Sequence, residues 1–147
     1  MAIRTARTDW NGTLQDGSGR VELASSGVGT FDVSWPKRTS ESADGSTSPE
    51  ELIAAAHASC FAMAFSGAVA NAGGTPKSVD VTADVDFGPD KDRGGFWIPK
   101  IHLTVQADVD GLDDAKFQEV AEGAKAGCPV SKALAATTIT MDASRTG

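Results

Sequence analysis

The stretch from Pro49 to Asn71 is apolar around nearly its whole circumference, with Leu52, Ile53, Ala58, Phe61, Met63, Phe65 and Ala68 spread over every side. A helix without a polar face has to be covered on all sides. Ser48 stands as its N-cap, Pro49 as its first residue and Glu51 at the third position, the pattern of a capping box, and Gly73-Gly74 end it. A chain of 147 residues can wrap such a helix with a sheet and further helices, or with a second copy of itself. Its alanines and Gly67 let helices approach closely, so the expectation is an α+β chain forming a symmetric homodimer with two such helices at its centre. A monomeric α+β sandwich with the helix beneath its sheet is the other solution.

The remaining patterns supply that sheet. Asn11-Gly12 is a pair favoured in two-residue hairpin turns, and Asp16-Gly17-Ser18-Gly19 marks a second turn before Val21, so the first third reads as a small meander ending in a strand over 30–35. Val79, Val81, Ala83, Val85 and Phe87 alternate with polar residues, as do Ile101, Leu103, Val105, Ala107 and Val109. These are two strands with one buried face each, paired antiparallel across a turn at 90–95. An amphipathic helix follows over 113–126, anchored by Leu112, Phe117 and Val120, then a short helix over 129–135 opened by Gly-Cys-Pro, and a strand over 138–142. No linker divides the chain, so 1–147 is expected to be one domain.

Composition narrows the function. A net charge of −7 argues against a nucleic-acid surface, which needs clustered Lys and Arg. The first ten residues hold no apolar leader and no stretch is read as the roughly 18 apolar residues of a membrane span, so a cytoplasmic protein is expected. Only two cysteines, Cys60 and Cys128, are present, far apart in sequence. They form no CxxC motif and, with His57 and His102 as the only histidines, no metal site is expected. In a reducing compartment such a pair is either two free thiols or one reversible disulfide that cycles rather than braces.

Free cysteine behaves as a small hydrophobe, so Cys60 in an Ala-rich helix can be inert packing unless its thiol is acidified. Its own helix dipole cannot do this, because Cys60 lies about three turns in and the effect fades within the first turn. A guanidinium could, and Arg38, at the end of a strand just before the helix, is the best placed; Arg20 and Arg93 sit beside glycines in exposed turns. Glu50 suits the helix dipole as a first-turn carboxylate and could also orient an arginine. His57 reads as a hydrogen-bonded core histidine.

The run Pro49-Glu50-Glu51-Leu52-Ile53-Ala54-Ala55-Ala56-His57-Ala58-Ser59-Cys60-Phe61-Ala62-Met63-Ala64, with Ala124-Lys125-Ala126-Gly127-Cys128-Pro129-Val130-Ser131, resembles the OsmC family of thiol-dependent peroxidases, relatives of the organic hydroperoxide resistance (Ohr) proteins. Ala56-His57-Ala58 and Lys125-Ala126-Gly127 are closer to the OsmC branch. The resemblance covers essentially the whole chain. It implies an intertwined homodimer with antiparallel sheets wrapped around two long central helices. It also implies a catalytic set in which Cys60 is peroxidatic, Cys128 resolving, and Arg38 and Glu50 the charged pair that holds the thiolate ready. The implied substrate is an organic hydroperoxide, with no bound cofactor and an external dithiol of lipoyl type as reductant; Phe61, Phe65 and Trp35 are expected to favour an alkyl group. Two other classes use the same residues: a redox sensor or thiol-disulfide exchange protein without rapid peroxide turnover, and a non-catalytic dimer in which both thiols are packing. Glu50 lies roughly 15 Å along the helix from Cys60, so if it serves that cysteine it must come from a second subunit, or the helix must break between them.

Overall fold

The computed structural model describes residues 1–147, which form two compact units, Met1–Leu52 and Ile53–Gly147. The first holds an antiparallel meander, β1 (Arg7–Asn11), β2 (Ser18–Glu22) and β3 (Thr30–Val33), and a short helix, α1 (Trp35–Thr39). Asn11 pairs with Ser18, so the two turn signals between them belong to one loop rather than two turns. Gly12 takes the left-handed conformation there, with φ of 95°, and the Gly17 N–H closes the loop onto the Thr13 carbonyl. The strand expected to run through Trp35 stops at Val33. Ser34 instead caps α1, accepting from the Lys37 N–H, and Pro36 fits the first turn, where its missing N–H costs nothing. Arg38 therefore stands on a helical turn and not at a strand end.

One long helix, α2 (Pro49–Asn71), begins in the first unit and continues unbroken into the second. The Ser48 hydroxyl accepts from the Glu51 N–H as expected, but the capping box is half made. The Glu51 carboxylate accepts from the Thr47 hydroxyl at 2.5 Å instead. At the far end the Gly73 N–H reaches the Ala70 carbonyl and the Gly74 N–H the Val69 carbonyl, with Gly73 at φ 86°, a Schellman turn. Gly74 is also a packing requirement, since a Cβ there would meet Leu112 Cγ at 2.8 Å.

In the second unit β4 (Thr75–Val85), β7 (Lys100–Asp110) and β8 (Thr138–Arg145) form one sheet, with β7 central. The expected antiparallel pair is present, Val81 facing Val105 and Val85 facing Ile101, with the small ribbon β5 (Gly88–Pro89) and β6 (Phe96–Trp97) in the connection. The closing strand is longer than predicted and pairs parallel to β7, Ile139 beside Ile101, so this sheet is mixed where antiparallel sheets were expected. Arg145 at the end of β8 explains the extension. Its guanidinium donates to the Leu112 and Val109 carbonyls and so ties the strand's last residues to the turn before the next helix.

The core of this unit lies between the inner face of the sheet and two helices, α2 and α3 (Asp114–Gly127), the latter capped by Asp113 and followed by α4 (Pro129–Ala133). Ile101, Leu103, Val105, Ala107 and Val109 are fully buried, as are Phe61, Phe65 and Val69 on α2, with Phe117 of α3 closing over them. Phe65 stacks on Phe61 at 5.8 Å and meets Phe117 edge to face at 5.5 Å. Truncating Phe65→Ala is expected to cost about 3–5 kcal/mol, read as a lowered denaturation midpoint at unchanged slope; a loss below about 1 kcal/mol would remove it from the core.

The circumferential burial expected of α2 is only partly met within one chain. His57, Phe61, Phe65 and Val69 form a buried stripe at helical spacing, while Met63 is 70% exposed. The membrane expectation also needs correction, since α2 is by length and composition apolar enough to cross a bilayer. Alanine accounts for both readings: it raises the apolar content of the helix without supplying much side chain to bury. The buried stripe packed on a sheet is that of a core helix.

Candidate active site

In the first unit, α1 and the first turn of α2 bring Arg38 and Glu50 together. The guanidinium grips the carboxylate side-on, Nε at 3.1 and 3.2 Å from the two oxygens and Nη2 at 2.6 Å from Oε1. Glu50 is almost wholly buried, and the Arg38 carbon Cζ lies 5.8 Å from the centroid of the Trp35 ring. A bidentate pair of this kind fixes the guanidinium plane, which a lysine could not reproduce. Arg38 also lines a cavity of about 380 Å³ whose other walls include Trp10, Leu14, Val33, Trp35 and Leu52. Arg20, by contrast, makes an exposed ion pair with Asp32 at 3.6 Å.

In the second unit Cys60 of α2 and Cys128 are free thiols near enough that each acts on the other's ionisation. Cys128 sits at the corner between two helices: its N–H donates to Ala124 at the end of α3, and its carbonyl accepts from Lys132 in α4. Pro129 opens α4, which leaves the N–H groups of Val130 and Ser131 without helical partners. No cap hydrogen bond of ordinary geometry closes on the Cys128 side chain, yet those N–H groups still favour negative charge at so large an atom.

The two thiols respond in opposite directions. Burial pushes the Cys60 thiol up, the Val130 N–H partly offsets this, and the neighbouring Cys128 adds to the rise. For Cys128 burial also acts upward, but the Ser131 N–H, the Cys60 thiol, the Ser131 hydroxyl and the Val130 N–H together outweigh it and bring it below the ordinary thiol range. Of the two, the thiol favoured to ionise is that of the fully buried Cys128, while Cys60 is half-buried.

Sequence reasoning sought the activating charge only in side chains. The backbone donors of α4 were missed, although their signal was present in Cys-Pro opening a helix, which by necessity frees the next N–H groups. Ser131 was missed as well. His57 is the buried core histidine expected, its Nε2 lying 2.7 Å from the Ser131 hydroxyl, and burial holds its pKa down. Phe61 and Phe65, expected beside a substrate path, are instead sealed in the core of the second unit, because their helical spacing places them on the stripe that faces the sheet.

A model of the OsmC-like protein family matches residues 42–143, a span that includes Glu50, Cys60 and Cys128. The chain belongs to the OsmC-like family. Among its OsmC-like relatives, peroxiredoxin OsmC of Escherichia coli (strain K12) is 41% identical over 139 residues, covering 95% of this chain and 94% of that protein. Organic hydroperoxide resistance protein OhrB of Bacillus subtilis (strain 168) is 33% identical over 133 residues, covering 90% and 91%. The OsmC-like fold is shared with the crystal structure of OhrB of Bacillus subtilis at a TM-score of 0.73 and 26% identity, over 95% of this chain and 98% of that one.

Proposed function

We propose that the protein is a thiol-dependent peroxidase that reduces organic hydroperoxides to alcohols in defence against oxidative stress. The observation that carries this reading is the proximity of two free thiols, one half-buried and one fully buried beside backbone N–H donors. The relatives named peroxiredoxin OsmC and organic hydroperoxide resistance protein support it. The thiolate of Cys60 attacks the distal oxygen of ROOH, the O–O bond breaks, and the alkoxide takes a proton to leave as ROH while Cys60 becomes a sulfenic acid. The Cys128 thiolate then attacks the Cys60 sulfur; the S–S bond forms, hydroxide departs and takes a proton from solvent to become water. An external dithiol, in our reading of lipoyl type, reduces the disulfide by exchange. No bound cofactor enters any step.

The working unit is proposed to be a single OsmC-like domain in a cytoplasmic homodimer. Exposed Met63 on an otherwise apolar α2, and exposed Trp10, Leu14 and Phe31 in the first unit, are the surfaces a second copy would cover. Because burial pushes the Cys60 thiol up, it needs a cation to ionise readily, and Arg38, oriented by Glu50, is the cation proposed for that role.

Stopped-flow reaction of the reduced protein with an organic hydroperoxide tests the function. Fast consumption, regenerated by a dithiol, is expected; consumption no faster than that of a free thiol would leave a redox sensor as the better reading. The cavity walled by Trp10, Leu14 and Trp35 sets a second expectation. At about 0.8 kcal/mol per buried methylene, alkyl or aryl hydroperoxides should react at least about tenfold faster than hydrogen peroxide. Equal rate constants for the two would show that no apolar wall meets the substrate.

A further inference from the structure

His57 lies on α2 one turn before Cys60 and is fully buried, yet only one of its ring nitrogens is partnered. Nε2 lies 2.7 Å from the Ser131 hydroxyl, whereas Nδ1 is shut away from solvent with no hydrogen-bond partner. The two neutral tautomers therefore differ in cost. A proton on Nδ1 would bury an unmet N–H donor, while a proton on Nε2 leaves only a bare acceptor, and proteins tolerate the second more readily than the first. Nε2–H then donates to Ser131 Oγ. A hydroxyl that accepts from the imidazole keeps its own hydrogen for another acceptor, and Ser131 is the third residue of the helix whose N-cap is Cys128, the position that an N-cap side chain faces.

We propose that His57 and Ser131 form a one-way hydrogen-bond chain that aims the Ser131 hydroxyl at the Cys128 sulfur and so readies that sulfur to close the disulfide. The chain rests on the peroxidase reading only for the role of Cys128. Both are positioning residues, since each keeps its own proton: in the closing step Cys128 sulfur is oxidised, the Cys60 sulfenic sulfur is reduced, and the departing hydroxide is protonated by solvent. Burial suits His57 to this task, because a histidine kept neutral does not reverse the direction of the chain by offering both ring nitrogens as donors. The location also fits. Ser131 lies in the first turn of the helix that Cys128 opens and is bonded to His57 of α2, so the start of α4 and the interior of α2 meet beside Cys128.

Two measurements test this, the first needing no peroxide. In a Cys60→Ser background the only thiol is Cys128, and its titration is followed by ultraviolet thiolate absorbance. Ser131→Ala and His57→Leu are each expected to raise the midpoint by about one pH unit, a tenfold loss of thiolate at fixed pH. The double variant should shift little further than either alone, because the two residues act in series. His57→Gln, whose amide N–H can still donate to Ser131, should recover most of the loss. The second measurement is single turnover with cumene hydroperoxide in protein that retains Cys60. There Ser131→Ala and His57→Leu should slow disulfide closure about tenfold, more than they slow the first oxidation, and raise the yield of Cys60 sulfinic acid. An unchanged Cys128 midpoint in Ser131→Ala, which removes a single oxygen and preserves packing, or additive shifts in the double variant, would overturn the chain. A protein inert to peroxide whose Cys128 midpoint still shifts would sink the peroxidase reading and leave the chain standing.

Discussion

Cys60→Ser is expected to abolish peroxide turnover, lowering it by at least about a thousandfold, whereas Cys128→Ser should complete its first turnover and then stall. The asymmetry follows from the division of labour proposed for the two sulfurs. Cys60 is half-buried and is the sulfur proposed to meet the hydroperoxide, whereas Cys128 is fully buried, so without Cys60 no nucleophile is expected to reach the substrate. Without Cys128 the sulfenic acid has no partner and climbs the oxidation ladder to sulfinic acid as peroxide accumulates. One equivalent of organic hydroperoxide should convert the unmodified protein to an intramolecular disulfide, detected as a loss of two mass units on non-reducing mass analysis. Multi-turnover activity retained in Cys60→Ser would reverse the assignment and make Cys128, the more acidic sulfur, the nucleophile.

Mixing two inactive proteins, Glu50→Ala and Cys60→Ser, is expected to restore activity once subunits exchange. The helix carrying both residues is unbroken from Pro49 to Asn71, which removes the alternative of a break between them. Roughly 15 Å of helix then separates a glutamate from the cysteine it would serve, too far for a side chain to close. If Arg38 and Glu50 hold a thiolate ready at Cys60, the charged pair of one subunit acts on the sulfur of the other. Each heterodimer would then contain one site with both an intact charged pair and an intact cysteine, regenerating activity from two dead parents. Glu50→Ala alone should fall by about a hundredfold or more, in the range seen when an electrostatic group is removed from a preorganised site, and Cys60→Ser by the larger factor given above. Absence of recovery despite exchange verified by mass, or a fully active monomer in sedimentation, would defeat the composite site and leave the cysteine chemistry to be explained within one chain.

Much of this architecture is a local consequence of the sequence. The two long strands carry strict apolar alternation, and every second residue of β7 from Ile101 to Val109 is buried as that period dictates. The start and stop of α2 lie in Ser48-Pro49 and Gly73-Gly74, and Asp113 caps α3, because a helix end is decided by the few residues that meet its loose N–H and carbonyl groups. Arg38, Glu50, Cys60 and Cys128 were legible as candidates from residue type and neighbourhood, and the structure joins them as two pairs, one in each unit.

What only the tertiary structure decided depends on contacts between distant segments. Alternation cannot say whether a final strand runs parallel or antiparallel to its neighbour, and β8 is parallel because the chain crosses over through α3 and α4 before returning to β7. Short helices such as α1 carry too few residues for a period to register, so a cap at Ser34 overrode the apparent strand. The bond between His57 and Ser131, and the opposite charge preferences of two cysteines of the same type, arise where the first turn of α4 meets the middle of α2. Residue identity supplies the chemical groups, but the energy of a charge depends on which donors surround it and how far water is excluded, and folding alone sets both.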